Sequence, residues 1–284
     1  MADKVDALEI WERIADSRIC QEAAEFYRQA GKTKDEILER GATDFDQLVG
    51  CLDEQPDYKA LYYASRHGYM DMHIRQNRVA MAHYLPKGLN WAGQKIAFID
   101  FGCGPMTAGL VFAEHLSEGL GDYKSQVSYY GVDISQNMRD LAAKINESLE
   151  IYEPARFHLT DSFFDNGALN SDIRDADICI LSFSFALAPK TLKTGDRAAE
   201  EIMQNMAQEW HNISQGCEQS WVIYCNPNRS YPGDAVSRNW KWFYTTLRKQ
   251  AGIIYSGGEI EDCHWMTGRN PATMACIAGA ITEA

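Results

Sequence analysis

Ile99-Asp-Phe-Gly-Cys-Gly-Pro-Met-Thr107 decides how the rest of the chain is read. It follows a short apolar, β-prone run, Lys95–Phe101, and precedes ten residues of helical character, Thr107–Leu116. A strand that runs through two glycines into a helix lets the backbone turn sharply and approach a ligand with no side chain in the way. The helix then offers amides that have no partner of their own. In open α/β sheets, ligands sit beyond the carboxyl ends of the strands, where such a turn lies. The bland alternative is a tight strand-to-helix connection with no ligand. The third glycine of the dinucleotide fingerprint is missing, because its position holds Thr107, and this disfavours a nicotinamide-dependent oxidoreductase. Pro105 removes one further amide from the turn.

Downstream, strand and helix patterns alternate. Val127–Val132, Arg156–Leu159, Ile178–Phe185 and Ser220–Cys225 read as strands, and Met138–Leu149, Ala198–Ile213 and Ser237–Gln250 as helices. Gly252–Tyr255 with Gly258–Ile260, and Thr273–Ala280, close the chain as strands. Alternation of this kind predicts a parallel sheet with helices on both faces. The second strand ends in Tyr130-Gly-Val-Asp133-Ile134-Ser135, 29 residues past Gly104. An acid there can hold a ribose diol, although the usual spacing is about 20 residues. Met138 is placed either to cover an adenine face or to enter the core, and Asp133 and Ser135 also suit a helix N-cap. After the third strand, Thr160-Asp161-Ser162-Phe163 offers a carboxylate for an exocyclic amine and a ring to pack on it, or a simple turn.

Taken as an ordered set, residues 99–107, 129–138, 160–164 and 178–185 resemble the class I S-adenosylmethionine-dependent methyltransferases. The resemblance covers about residues 95–225 and extends to the final pair of strands. It implies a Rossmann-like seven-stranded, mostly parallel sheet flanked by helices, with S-adenosyl-L-methionine as cofactor. Carried over, Asp100, Gly102, Gly104 and Pro105 form the methionine-side pocket. Asp133 holds the ribose hydroxyls and Ile134, with Met138, flanks the adenine. Asp161, Ser162 and Phe163 read the adenine edge, and Ser182 and Phe183 line the pocket after the fourth strand. Met106 replaces a commoner glycine. The fourth strand leads into Ser182-Phe-Ser-Phe185 and lacks the Asn/Asp-Pro-Pro-Tyr/Phe box that amino-methylating nucleic-acid enzymes of this family carry there.

Upstream of Asn90 the pattern is helical throughout, which predicts an all-helical N-terminal domain over 1–90 that lids the site and a Rossmann-like domain over 91–284. Leu8, Trp11, Ile14, Ala15, Ile19, Ala23, Phe26 and Tyr27 recur at helical spacing, and Gly31 is a stop. Thr33-Lys-Asp-Glu36 has the capping-box pattern. Thr43 caps a predicted helix that carries Phe45, Leu48 and Leu52 inward. A long helix is predicted from Asp57 to Leu85, bent at Gly68, with Tyr62, Arg66, Tyr69 and His73 on one face. On that face Arg66 either forks onto the cofactor's carboxylate or bridges to an aspartate. Candidates for a catalytic acid or base are Tyr69 and His67 in this stretch, Asn226 at the tip of the fifth strand, and His264 beside Trp265.

The net charge is −13 and acids outnumber bases on both sides of Asn90. That argues against a protein built to hold nucleic acid by phosphate neutralisation, and favours a small-molecule or protein acceptor. An RNA or ribosome-directed methyltransferase is the alternative, with Arg238, Lys241, Arg248 and Lys249 as its local basic patch. A non-catalytic module that binds the cofactor or a partner protein is the other. No window is apolar enough for a membrane span and the start lacks a signal-like apolar core, so a cytoplasmic protein is expected. The eight cysteines form no Cys-x-x-Cys and are expected as buried, reduced thiols with no metal site.

Overall fold

Along β1 (Ile96–Phe101), Ile96, Phe98 and Asp100 point to one face of the sheet and Ala97, Ile99 and Phe101 to the other. The strand's first five residues are buried on both sides, as a central parallel strand requires. Each fully buried Ile or Phe there contributes about 1.5–3 kcal/mol. The computed structural model describes residues 4–39, 43–86, 88–162, 173, 175–184, 196–227, 234–251, 253–259, 261–263 and 272–281.

Six further strands continue the sheet: β2 (Val127–Val132), β3 (Phe157–Thr160), β4 (Ile178–Ser184), β5 (Gln219–Pro227), β6 (Ile253–Gly257) and β8 (Ala272–Ile281). The short β7 (Glu261–Cys263) pairs with β8 beside this path. The order is β3-β2-β1-β4-β5-β8-β6. Strands β3, β2, β1, β4 and β5 pair in parallel, and β8 is inserted antiparallel to both β5 and β6. The order reverses at β1 and β4, so the crevice of a topological switch point opens beyond the carboxyl ends of these two strands.

Helices cover both faces. On the Asp100 face lie α5 (Met70–Tyr84), α6 (Thr107–Ser117) and α7 (Gln136–Leu149). The opposite face is covered by α8 (Asp196–Ser214) and α9 (Asp234–Leu247), whose Met206, Trp210, Trp240 and Phe243 pack on Ile99, Leu181 and Val222. The segment before β1 also forms α1 (Ala7–Ala15), α2 (Arg18–Gln29), α3 (Lys34–Ile37) and α4 (Tyr58–Ala64). Its apolar residues join those of α6, α7 and the sheet in one unbroken core. Thr33 and Glu36 close the predicted capping box at α3.

Three expectations are corrected. The single helix over 57–85 is two, because Ser65 turns extended and Gly68 closes on the end of α4: a Cβ at Gly68 would lie 1.9 Å from the carbonyl oxygen of Tyr63. Tyr62, Arg66, Tyr69 and His73 therefore do not share a helical face. No helix forms over 43–56; Leu48 and Leu52 are exposed, the latter by 91%, and Ile19 is also exposed. Finally, Cys179 and Cys217 are joined by a disulfide. Pairing of Ile178 with Gln219 brings the two chain segments together, so the contact depends on sheet register and leaves no local spacing signal. Cys20, Cys51, Cys103, Cys225 and Cys276 are outside disulfides.

Candidate functional site

The turn after β1 is held down by β2. The amides of Gly102 and Cys103 both donate to the carbonyl of Val132, at 2.7 and 3.1 Å. One strand residue later, the Asp133 carboxylate takes over: Gly104 N donates to Oδ2 and Ser135 N to Oδ1, both at 2.9 Å. Gly102 and Gly104 have φ of +73° and +51°, the left-handed region in which glycine is at ease. Met106 is also left-handed, at +55°, and fully buried. This is the position where the resemblance calls for glycine, and the backbone accepts a cost of about 1–2 kcal/mol there. A Cβ added to Gly104 would meet nothing within 4 Å, so open space lies over the turn. Ile134, 85% exposed, stands beside it.

Asp100, the last residue but one of β1, is fully buried. Its Oδ2 accepts from Gly109 N at 3.2 Å and from the Tyr129 hydroxyl at 3.1 Å, while Oδ1 has no partner. Burial pushes its pKa up to about 7, and its two hydrogen bonds only partly oppose that. Burial also raises Asp133, against the pull of the Ser135 and Gly104 amides.

The segment before β1 reaches this site from two sides. Asp46 caps α7 from outside: Oδ1 accepts from Ser135 Oγ (2.8 Å) and Asn137 N (3.0 Å), and Oδ2 from Gln136 N (3.0 Å). Asn137 returns bonds to the carbonyls of Phe45 and Pro56. From α4, Tyr63 places its hydroxyl 2.5 Å from Nδ1 of His73, next to Thr107 at the start of α6. His73 is buried and, by that burial and the nearby Lys34 charge, has its pKa lowered to about 3, so it is neutral at physiological pH. One turn further along α5, Gln76 is 1% exposed and neither amide atom has a partner.

The sequence-predicted residues separate clearly. Asp100, Gly102, Gly104, Pro105, Asp133, Ile134 and Ser182 come together at the ends of β1, β2 and β4, with Ser182 opposite Asp100 in register. Asp161 is exposed and Ser162 half-buried just past β3, where Ser162 N donates to Thr160 Oγ1. Met138 is buried in the core, the second of its two readings. Phe183 points to the other face, packed on Phe101, Tyr224 and Phe243. Arg66 takes the aspartate bridge: Nε and Nη2 donate to Asp16 Oδ1 and Oδ2, both at 2.5 Å, and the guanidinium lies over Trp11. The α4–α5 break turns it away from the glycine turn. His67 is exposed, and Tyr69 stacks on His73 under the ammonium of Lys34. Phe163 and His264 lie outside the described residues, as does the side chain of Asn226.

Asp46, Tyr63, His73 and Gln76 were not singled out by sequence reasoning as a group. The capping aspartate is 89 residues from Ser135, too distant for any local signal. Among the described residues, no cluster of His, Cys, Asp and Glu could hold a metal ion, and no helix is long and apolar enough to cross a membrane.

The donor set suits a ligand with a sugar diol and an amino-acid end. Each Asp133 oxygen accepts one amide and keeps a second lone pair for a hydroxyl. The orphaned Oδ1 of Asp100 is an acceptor that a cationic nitrogen would satisfy.

No family model matches the sequence, nor does any curated protein. Among solved structures, the chain is similar to geranyl diphosphate C-methyltransferase from Streptomyces coelicolor A3(2), at 11% identity over 94% of this chain and 99% of that one, with a TM-score of 0.41. A SAM-dependent methyltransferase from Aquifex aeolicus is 12% identical over 72% and 91%, with a TM-score of 0.42. The METTL16 methyltransferase domain is 12% identical over 72% and 82%, with a TM-score of 0.43. At these identities the likeness is one of fold.

Proposed function

We propose that the chain is an S-adenosylmethionine-dependent methyltransferase acting on a small-molecule or protein acceptor. The observation that carries this reading is the glycine turn, clamped by Asp133 and facing open space beside an exposed Ile134. Asp133 would hold the ribose hydroxyls with its remaining lone pairs. Ile134 would cover the adenine, and Asp161 and Ser162 would meet its edge. Asp100 would take the ammonium of the methionine end. Burial makes an ionised Asp100 costly until a positive charge arrives, so its proton leaves as the ligand binds.

The cofactor, when bound, supplies a methyl group already activated on a sulfonium. The chain's own part is alignment and exclusion of water. Helices α5 and α6 form a dry wall behind the turn, and Asp46 fixes the start of α7 where the adenosine end would lie. Neutral His73 and Tyr63 keep that wall uncharged apart from Asp100 and Asp133.

Calorimetric titration with S-adenosylhomocysteine and with NADH tests the reading. Binding of the first alone is expected. Binding of NADH with none of S-adenosylhomocysteine overturns it. Transfer of tritium from labelled S-adenosylmethionine to some fraction of a cell extract is the second expectation; its absence in a protein that binds the cofactor favours the non-catalytic module.

One observation favours RNA as a second reading. Lys241, Thr245, Arg248 and Lys249 line one exposed face of α9 and its end, and no acid occurs between Asp234 and Glu259. RNA binding that weakens steeply with salt supports it.

A further inference from the structure

A hollow of about 300 Å³ opens between the end of α1, α2 and the end of α4, and none of its lining residues belongs to the glycine turn. Tyr62 and Tyr63 are neighbours on α4 and serve different regions. The Tyr63 hydroxyl reaches inward to His73, while Tyr62 lines the hollow. Tyr62 is 7% exposed as a residue.

The rest of the lining sets the chemistry of the hollow. Arg28, Lys32, Arg66 and His67 stand around the hollow with only two acids, Asp16 and Glu25. Glu36 stands 4.0 Å from the Lys32 ammonium just outside the lining. Both acids are engaged by one edge of a guanidinium. Arg66 uses Nε and Nη2 on Asp16, and Arg28 uses Nε and Nη2 on Glu25. In each arginine Nη1 carries no hydrogen bond within the chain, so each fork keeps donors to spare. The acids thus orient the arginines and leave the hollow with donors: two guanidinium nitrogens, the Tyr62 hydroxyl and the Lys32 ammonium, which it shares with Glu36. Ala15, Ala24 and the fully buried Cys20 supply an apolar wall. The volume is at the small end for ligand sites.

We propose that this hollow is a binding site for a small organic oxyanion, a carboxylate or a phosphate ester, separate from the cofactor turn. The anion's oxygens would accept from Tyr62, Arg28, Arg66 and Lys32, and its carbon skeleton would rest on the alanines. The site does not depend on the methyltransferase reading.

The test is calorimetry on the full chain, with and without saturating S-adenosylhomocysteine, using citrate, glycerol 3-phosphate and uncharged glycerol as probes. Citrate or glycerol 3-phosphate should bind at submillimolar to low-millimolar concentration and glycerol should not; whichever of the two binds more tightly identifies carboxylate or phosphate. Tyr62→Phe should weaken the better anion about threefold to tenfold, and the double variant Arg28→Gln/Arg66→Gln at least tenfold. Circular dichroism of each variant should match the parent. If the double variant fails to fold, Lys32→Gln serves instead, with a loss of at least threefold. Three results overturn the proposal: neither anion binding at 10 mM, equal binding by the parent and the folded variants, or displacement of the anion by S-adenosylhomocysteine, which would put it on the turn. Failure of S-adenosylhomocysteine to bind leaves this proposal standing and removes only the methyltransferase reading.

Discussion

Glu54 and Asp100 are both carboxylates taken out of water, and the chain treats them differently. Glu54, 7% exposed in the loop before α4, is fully engaged. Its Oε1 accepts from the Tyr27 hydroxyl at 2.5 Å, and Oε2 from the amides of Val49, Gly50 and Cys51 at 2.8–3.3 Å. Asp100 crowds two donors on one oxygen and leaves the other with none. A satisfied buried acid organises a loop. A half-satisfied one is costly to the empty protein and is worth keeping only where something else completes it.

Removing each acid breaks the comparison in opposite directions. Glu54→Ala strands three amides and a hydroxyl, and should lower unfolding stability in urea by about 3–5 kcal/mol. Asp100→Asn should do the reverse above neutrality. With a folded pKa of about 7 against an ordinary value of 3.8, the native state binds the extra proton, so this residue's contribution is full below pH 4 and is lost as pH rises to 7. The difference in stability between variant and parent should therefore grow in the variant's favour across that window, by up to about 4 kcal/mol, and then level off. A flat difference curve would show that ionising Asp100 costs the native state nothing. The same variant should bind S-adenosylhomocysteine more weakly, and the parent's affinity should rise with pH through 7.

Asp133→Asn sharpens the contrast within the site. It keeps one acceptor for a clamp that uses two, and should weaken S-adenosylhomocysteine tenfold to a hundredfold while costing about 1 kcal/mol of stability. Gln76→Met replaces an amide that bonds to nothing with a side chain of similar length, and should raise the melting temperature by a few degrees. Arg66→Ala should change neither the melting temperature nor cofactor affinity, because its partner Asp16 is exposed and far from the turn.

What could be read in the sequence was whatever a local pattern encodes. The strand-turn-helix around Gly102 and Gly104, the acid at the end of β2 and the capping box at Thr33 are each written in a few adjacent residues, and each is present. Met106 could be flagged as a departure, but its left-handed backbone could not be foreseen. Elsewhere distant contacts override periodicity. The stretch 43–56 has helical spacing, yet Glu54 gathers its amides and Asp46 leaves for α7. The sequence leaves Arg66 open between the cofactor's carboxylate and an aspartate; the structure gives it Asp16, because the chain breaks at Ser65–Gly68, where Gly68 closes on the carbonyl of Tyr63. Phe183 and Ser182 are adjacent, so the pleat sends only one of them to the Asp100 face.

The clasp of Asp46 on α7 has a developmental side. During synthesis, residues 44–57 emerge long before the helix they cap, so Asp46 waits for the amides of Gln136 and Asn137, while Ser135 caps the same helix locally. Ordering of the start of α7 beside the crevice therefore waits for two far-apart stretches to meet, and a lineage that altered the loop around Asp46 would have to re-tune the beginning of α7 in step.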